Sequence, residues 1–224
     1  MVTADAVARV PSFMLDLAAK LGGDLVREHM ARWTPPEEGG RASAVLILIA
    51  DDGQSPDVLL IERAAMLRNH AGQPAFPGGG ADPGDADPAA TALREAAEEV
   101  ALDPAGVSVL GTLPSLFLEP SGYVVTPVLA YWHTPGPVRV LDPAEVASVH
   151  RIPFAELAEP ANRFSVSHPS GYTGAAFGVR GKVVWGFTAG VLSMMLELAG
   201  WRQPWDETDV RDLDAAILPQ EEPA

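Results

Sequence analysis

Residues 78–102 read GGGADPGDADPAATALREAAEEVAL, a glycine-rich turn running into a segment whose pattern predicts a helix from about Pro88 to Val100. At about 100° per residue, Glu95, Glu98 and Glu99 fall within about 100° of arc, while Ala89, Ala90, Leu93, Ala96, Ala97 and Val100 share the opposite side. One face can pack on a core while the other carries charge. Carboxylates crowded into two turns repel one another by roughly 0.2–0.5 kcal/mol per pair on an isolated helix, and a hard cation reverses that sign. Magnesium takes oxygen ligands, keeps several waters and is often shared between carboxylates and substrate phosphates. The segment therefore points to a divalent metal held against a pyrophosphate, with Arg94 placed to hold one carboxylate in orientation. The competing reading of an isolated E-x-x-E-E is an ordinary solvated helix face. Against it stand Gly78, Gly79 and Gly80, which allow close backbone approach and can offer a carbonyl to the metal, and Pro77, which stiffens the chain before them.

On these residues the chain resembles the Nudix hydrolases, whose signature is G-x5-E-x7-R-E-U-x-E-E-x-G-U with U a bulky apolar residue. Gly80, Arg94, Glu95, Glu98, Glu99 and Leu102 match it, whereas Ala86, Ala96 and Ala101 stand where the signature has an early glutamate, an apolar residue and a late glycine. Asp85 and Asp87 flank Ala86, and either is a candidate substitute for the missing acid. A second pattern, Leu59-Leu60-Ile61-Glu62-Arg63-Ala64, then Arg68, Gly72 and Phe76-Pro77-Gly78-Gly79, is similar to the one that marks coenzyme A diphosphatases within that family, with Ile61 replacing a threonine. Trp185-Gly186-Phe187-Thr188-Ala189 resembles a block near the end of the same subfamily, so the likeness runs roughly from residue 42 to 200.

The resemblance implies an α/β class chain, an α/β/α sandwich around a mixed β-sheet. It also implies hydrolysis of the diphosphate of coenzyme A or acyl-coenzyme A to (acyl-)phosphopantetheine and adenosine 3',5'-bisphosphate. Its metal, Mg2+ or Mn2+, would be held by Glu95, Glu98, Glu99 and the Gly79 carbonyl. A positioned base must take a proton from the attacking water, and Glu98 and Glu145 are both candidates; an unperturbed histidine titrates near neutral pH, which adds His150, though it also reads as structural. Arg94 completes the catalytic set. Arg63 and Arg68, just before the glycine loop, offer forks for phosphate, with His70 and Gln73 as further substrate contacts. The signature specifies chemistry rather than leaving groups, so ADP-ribose or NADH is a second substrate reading. A Nudix-like module that binds a nucleotide without cleaving it is a third.

The composition narrows the classes further. Fifteen Lys and Arg stand against 30 Asp and Glu, a net charge of −15. Nucleic-acid binding normally shows clustered basic residues, so no nucleic-acid partner is expected, and an anionic substrate must be met by a local positive patch plus metal. Cysteine is absent, which excludes disulfides, thiolate metal sites and a cysteine nucleophile. No run of about 18 apolar residues suggests a membrane span, and the N-terminus does not read as a secretory signal. The expectation is a cytoplasmic enzyme.

Along the chain, residues 1–40 read as an N-terminal helical extension and linker, 41–201 as the hydrolase domain, and 202–224 as a frayed acidic tail. Phe13, Met14, Leu17, Leu21, Leu25 and Val26 lie at helical spacing, and this stripe can pack on the domain or on a second copy in a homodimer. Strands are predicted at 43–50 and 58–62 as a hairpin, then at 107–113, 123–133 and 183–185, with a short element at 145–150 and a helix at 188–198. The segments 119–122 and 164–172 are candidate walls of a substrate groove.

Overall fold

The computed structural model describes residues 9–35, 39–64, 72–119, 121–169 and 171–217. In chain order they form α1 (Ser12–Lys20), α2 (Asp24–Met30), β1 (Arg41–Ala50), β2 (Asp57–Arg63), β3 (Pro74–Ala75), β4 (Gly78–Gly80), α3 (Pro88–Val100), β5 (Val107–Thr112), β6 (Leu116–Leu118) and β7 (Tyr123–Trp132). There follow β8 (Val146–Pro153), α4 (Phe154–Ala158), β9 (Arg163–Ser167), β10 (Thr173–Val179), β11 (Lys182–Val184), α5 (Gly186–Leu198), β12 (Val210–Asp212) and α6 (Leu213–Ile217).

A mixed eight-stranded sheet is the middle layer. Its main order is β3-β2-β1-β7-β5, with β4 on β1, β6 on β7 and β8 on β2. β1 and β7 run parallel, Arg41 beside Tyr123 through Ile49 beside Tyr131, and every other pair is antiparallel. Because successive side chains of a strand point to opposite faces, the apolar run of β1 feeds two cores at once. Ala44, Leu46, Leu48 and Ala50 meet Ala92, Ala96 and Val100 of α3. Ile47 and Ile49 meet Met14 and Leu17 of α1, Val26 and Met30 of α2, and Leu192 and Met195 of α5. Helices on both faces of a mixed sheet make the α/β/α sandwich.

Of the two uses open to the stripe of α1 and α2, packing within the chain is the one observed, since Met14, Leu17 and Val26 are buried in the shared core. Two expectations change. The segment 202–224 is not frayed throughout: β12 pairs in parallel with β9, and Leu213 of α6 is buried against Phe164, Val166 and Ala176. Finally, the region read as a groove wall around 164–172 begins a second sheet, ordered β11-β10-β9-β12, in which Phe164 is core. Trp201 packs on Phe13 and Phe154, with ring centroids 5.6 and 5.1 Å apart, fixing the exit of α5 onto α1 and α4.

The last turn of α3 explains one departure from the family signature. Ala101, standing where the signature has glycine, ends the helix in the left-handed region at φ 58, a conformation that costs a Cβ-bearing residue roughly 1 kcal/mol or more. Ala101→Gly is therefore expected to raise the unfolding free energy by about 1 kcal/mol in urea titration; an unchanged or lowered midpoint would contradict this account of the helix end.

Candidate active site

The glycine loop is a strand because its neighbours leave room for nothing else. β4 lies antiparallel on β1, with Ser43, Ala44 and Val45 opposite Gly80, Gly79 and Gly78. A Cβ on Gly78, where φ is +152, would collide with the Ala44 carbonyl and with Val45 Cα. A Cβ on Gly79 would lie 2.5 Å from the Glu95 carboxylate, so Glu95 stands directly over the loop backbone. Glu99 closes the same joint: its Oε2 accepts the Gly78 N–H at 2.9 Å, and the residue is only 5% exposed.

Arg94 ties the helix to the loop. It donates from Nη2 to the Gly80 carbonyl at 2.8 Å and from Nη1 to Glu98 Oε2 at 2.9 Å, and its Nη2 lies 3.1 Å from Glu95 Oε1. The flanking aspartates divide two tasks. Asp85 takes the Arg94 fork at 3.1 and 3.0 Å, and also accepts from Thr91 Oγ1 and the Asp82 N–H, each at 2.9 Å. These donors hold its carboxyl well below the usual range, Arg94 most of all. Asp87 instead caps α3, accepting from the Ala90 N–H at 2.8 Å, with Pro88 in the first turn. Of the two candidate substitutes for the acid missing at Ala86, Asp85 is the one that reaches Arg94.

Glu145 joins from the far side. The Ala64 N–H donates to its carbonyl at 2.8 Å, and its N–H donates to the Asp142 carbonyl at 3.1 Å. The preceding segment is tied to the end of α3 by Leu141 N–H to the Glu99 carbonyl at 3.0 Å. From there the exposed Glu145 carboxylate pushes up the pKa of both Glu95 and Glu99. Burial is the larger cause in each case. It raises Glu95, and it lifts Glu99 to about 7 against the pull of the Gly78 N–H and of Arg63. Arg63, at the end of β2, is half-buried, and its Nε has no hydrogen-bond partner among the described residues. Its backbone N–H donates to the Gln73 carbonyl at 3.1 Å, keeping Gln73 beside it. Arg68 and His70 lie outside the described residues.

One sequence candidate is placed elsewhere. His150 pairs opposite Leu60, whose side chain belongs to the core on the α1, α2 and α5 face, so the sheet separates it from α3. It bonds Ser148 Oγ at 2.7 Å, and Glu62 accepts from Ser148 and from Lys182 of β11 at 2.6 and 2.7 Å. This polar tie between the two sheets gave no signal in the sequence, because its members are scattered over 120 positions. Tyr172, at the end of the segment read as a groove wall, accepts the Gly186 N–H through its hydroxyl at 3.1 Å and meets Trp185 edge-on.

Among the described residues no three carboxylates or imidazoles stand grouped as a ready cage, since Glu98 is turned to Arg94 and Glu99 to Gly78. The donor chemistry nevertheless fits a hard cation. Glu95, Glu99 and Glu145 crowd negative charge, two of the three are held toward their protonated forms, and the loop beneath them offers only backbone. An oxygen-seeking divalent ion supplies the missing charge, and the ligands are of the kind Mg2+ and Mn2+ prefer.

Two outcomes are expected. Asp85→Asn, which weakens the hold on Arg94, lowers turnover about 10-fold or more, whereas Asp87→Ala lowers stability by ~1 kcal/mol with turnover nearly intact; reversal of that pattern in steady-state kinetics and urea unfolding would refute the division of roles. The second concerns pH. Glu99 binds its proton more tightly folded than unfolded, so its contribution is full below about pH 4.5 and is lost as pH rises through about 7. In EDTA, the wild type should lose up to ~3 kcal/mol relative to Glu99→Gln between pH 4.5 and 8, and Mg2+ should restore it at pH 8. Parallel stability curves for the two proteins would sink this assignment.

Comparison with known proteins agrees with the geometry. Residues 40–169 match the NUDIX domain model. A Photorhabdus laumondii protein described as an uncharacterized Nudix hydrolase, NudL, is 43% identical over 137 residues, 59% of this chain and 72% of that protein. An Escherichia coli K12 protein of the same description is 47% identical over 116 residues, 52% of this chain and 59% of its own length, so the match spans little more than half of that relative. The crystal structure of a Nudix hydrolase from M. smegmatis, RenU, shares the fold at a TM-score of 0.52 and 19% identity, covering 78% of this chain and 98% of that one. No described helix is long and apolar enough to cross a membrane. With a matching domain model over more than half its length and the glutamate helix seated on its glycine strand, the chain belongs to the Nudix hydrolases, enzymes that act on pyrophosphate bonds.

Proposed function

We propose that the protein is a metal-dependent diphosphatase of coenzyme A or acyl-coenzyme A, releasing (acyl-)phosphopantetheine and adenosine 3',5'-bisphosphate in the cytoplasm. The observation that carries the reading is the position of Arg63, the arginine of the Leu59 to Gly79 pattern. It ends β2 near enough to Glu99 to draw down that carboxyl's pKa, with a buried Nε that lacks a partner. In a chain with half as many bases as acids, a guanidinium with an unmet donor beside acidic groups is suited to a phosphate.

In this reading Mg2+ or Mn2+ is held by the Gly79 carbonyl and by Glu95, Glu98 and Glu99, and it supplies the charge that lets an anionic diphosphate accept a nucleophile. Arg63 grips a phosphate, with Gln73 beside it and Arg68 and His70 contributed by the same loop. Arg94 fixes the rotamers of Glu95 and Glu98. Glu145 takes the proton of the attacking water: it is exposed and close enough to Glu95 and Glu99 to raise their pKa, whereas Glu98 already accepts from Arg94.

The test is product analysis by chromatography after incubation with Mg2+ and coenzyme A, ADP-ribose or NADH in parallel, with EDTA controls. Adenosine 3',5'-bisphosphate and phosphopantetheine from coenzyme A, faster than any cleavage of the other two, support the reading. Faster cleavage of ADP-ribose or NADH reassigns the substrate, and no cleavage of any, with binding retained, favours a binding module. Glu98→Gln, Glu99→Gln and Glu145→Gln are each expected to lower kcat by at least about 100-fold; full activity in all three would overturn the site.

A further inference from the structure

A cavity of about 310 Å3 opens on the side of the molecule away from α3, between α5 and the second sheet. Its α5 wall is Gly186, Gly190, Ser193 and Glu197, spaced by four, three and four residues along one stripe of the helix. The opposite stripe, with Val191, Leu192 and Met195, is in the main core. Small side chains keep this wall open, and a Cβ on Gly190 would already lie 2.7 Å from the Trp33 ring.

The floor is Arg163 of β9, 4% exposed. Its guanidinium makes one hydrogen bond among the described residues, Nη2 to Ser193 Oγ at 3.2 Å, and its buried Nε and Nη1 have no partner. The rings of Phe177 and Trp205 flank it, each centroid 4.9 Å away, and Trp205 Nε1 is also buried without a partner. The two acids of the rim are already taken. Glu207 pairs with Arg202 at 2.9 Å, and Glu197 lies 3.5 Å from His29 and 3.7 Å from Arg202. Both acids thus face Arg202 or His29 rather than Arg163, whose buried guanidinium keeps two donors unmet, a costly arrangement unless an acceptor completes it.

We propose that this cavity is a second ligand site, separate from the glutamate centre, that takes a small organic anion: a planar ring bearing a phosphate or carboxylate. The anionic group meets Arg163 with Arg202 at the rim, and the ring lies among Trp33, Tyr172 and Trp205. The volume suits a mononucleotide or an aryl acid and excludes a polymer. None of these residues belongs to the glutamate centre, so the proposal stands whichever diphosphate that centre cleaves.

Titration calorimetry in EDTA with AMP, 4-hydroxybenzoate, inorganic phosphate and neutral adenosine tests it. Saturable binding of AMP or 4-hydroxybenzoate, weakened at least about 10-fold by Arg163→Gln and by the cavity-filling Ser193→Leu but unchanged by Arg63→Gln, is the expected result. The two pocket variants are made separately, and circular dichroism selects the folded one if the other fails. Binding that survives in the folded pocket variant, binding lost in Arg63→Gln, equal binding of adenosine, or no binding of any probe at about 10 mM would each overturn the proposal.

Discussion

The joint between β4 and α3 is the constraint on which the site depends. Gly78 and Gly79 approach β1 and Glu95 so closely that no side chain fits, and Glu99 turns back to accept the Gly78 N–H. Arg94 makes the reciprocal contact with the Gly80 carbonyl, so loop and helix hold each other. The cost is electrostatic. Glu99 is buried with one backbone donor, and its pKa rises to about 7 because burial disfavours its charge. A carboxyl in that state is poised between a proton and a cation, which is the physical content of proposing a metal at the joint.

The sheet then separates two kinds of charge. On the α3 face acids exceed bases among the described residues, with Arg94 committed to Asp85 and Glu98 and Arg63 keeping a buried Nε without a partner there. On the other face Glu62 gathers Ser148 and Lys182 into a tie between the sheets, while Arg163 keeps two buried donors without one. In a strongly acidic chain the few cations are informative because each has so many possible partners; where one goes unpaired, the fold has kept it so.

Much of this was legible in the sequence. The bounds predicted for the glutamate helix, Pro88 to Val100, are those observed, because an aspartate cap, a proline and an alanine-rich apolar face agree on one answer. β1, β2 and β7 were likewise plain from apolar runs, within two residues at each end. β4 was not: three glycines have little intrinsic strand preference, and only the backbone of β1 makes them a strand. Of the second sheet only β11 was read as a strand; β9 and β10 were missed because they are short and rich in serine, glycine and alanine, and β12 because its acidic surroundings read as solvated chain. At the site, spacing alone left Asp85 and Asp87 equivalent. They differ only in the direction each side chain takes at the mouth of the helix, and that is a property of the folded loop. For His150 the structural reading is the one the fold agrees with, since residue type alone says nothing about which face of β8 it occupies.

The most direct test of the account is Mn2+ binding near pH 7.5, followed by electron paramagnetic resonance in the wild type and in Glu99→Gln. If a buried carboxyl at the glycine joint is what creates the site, the wild type binds the ion with release of protons and the variant binds at least about 10-fold more weakly, with less proton release. Equal affinity in the two proteins would contradict the account and move the metal away from the joint.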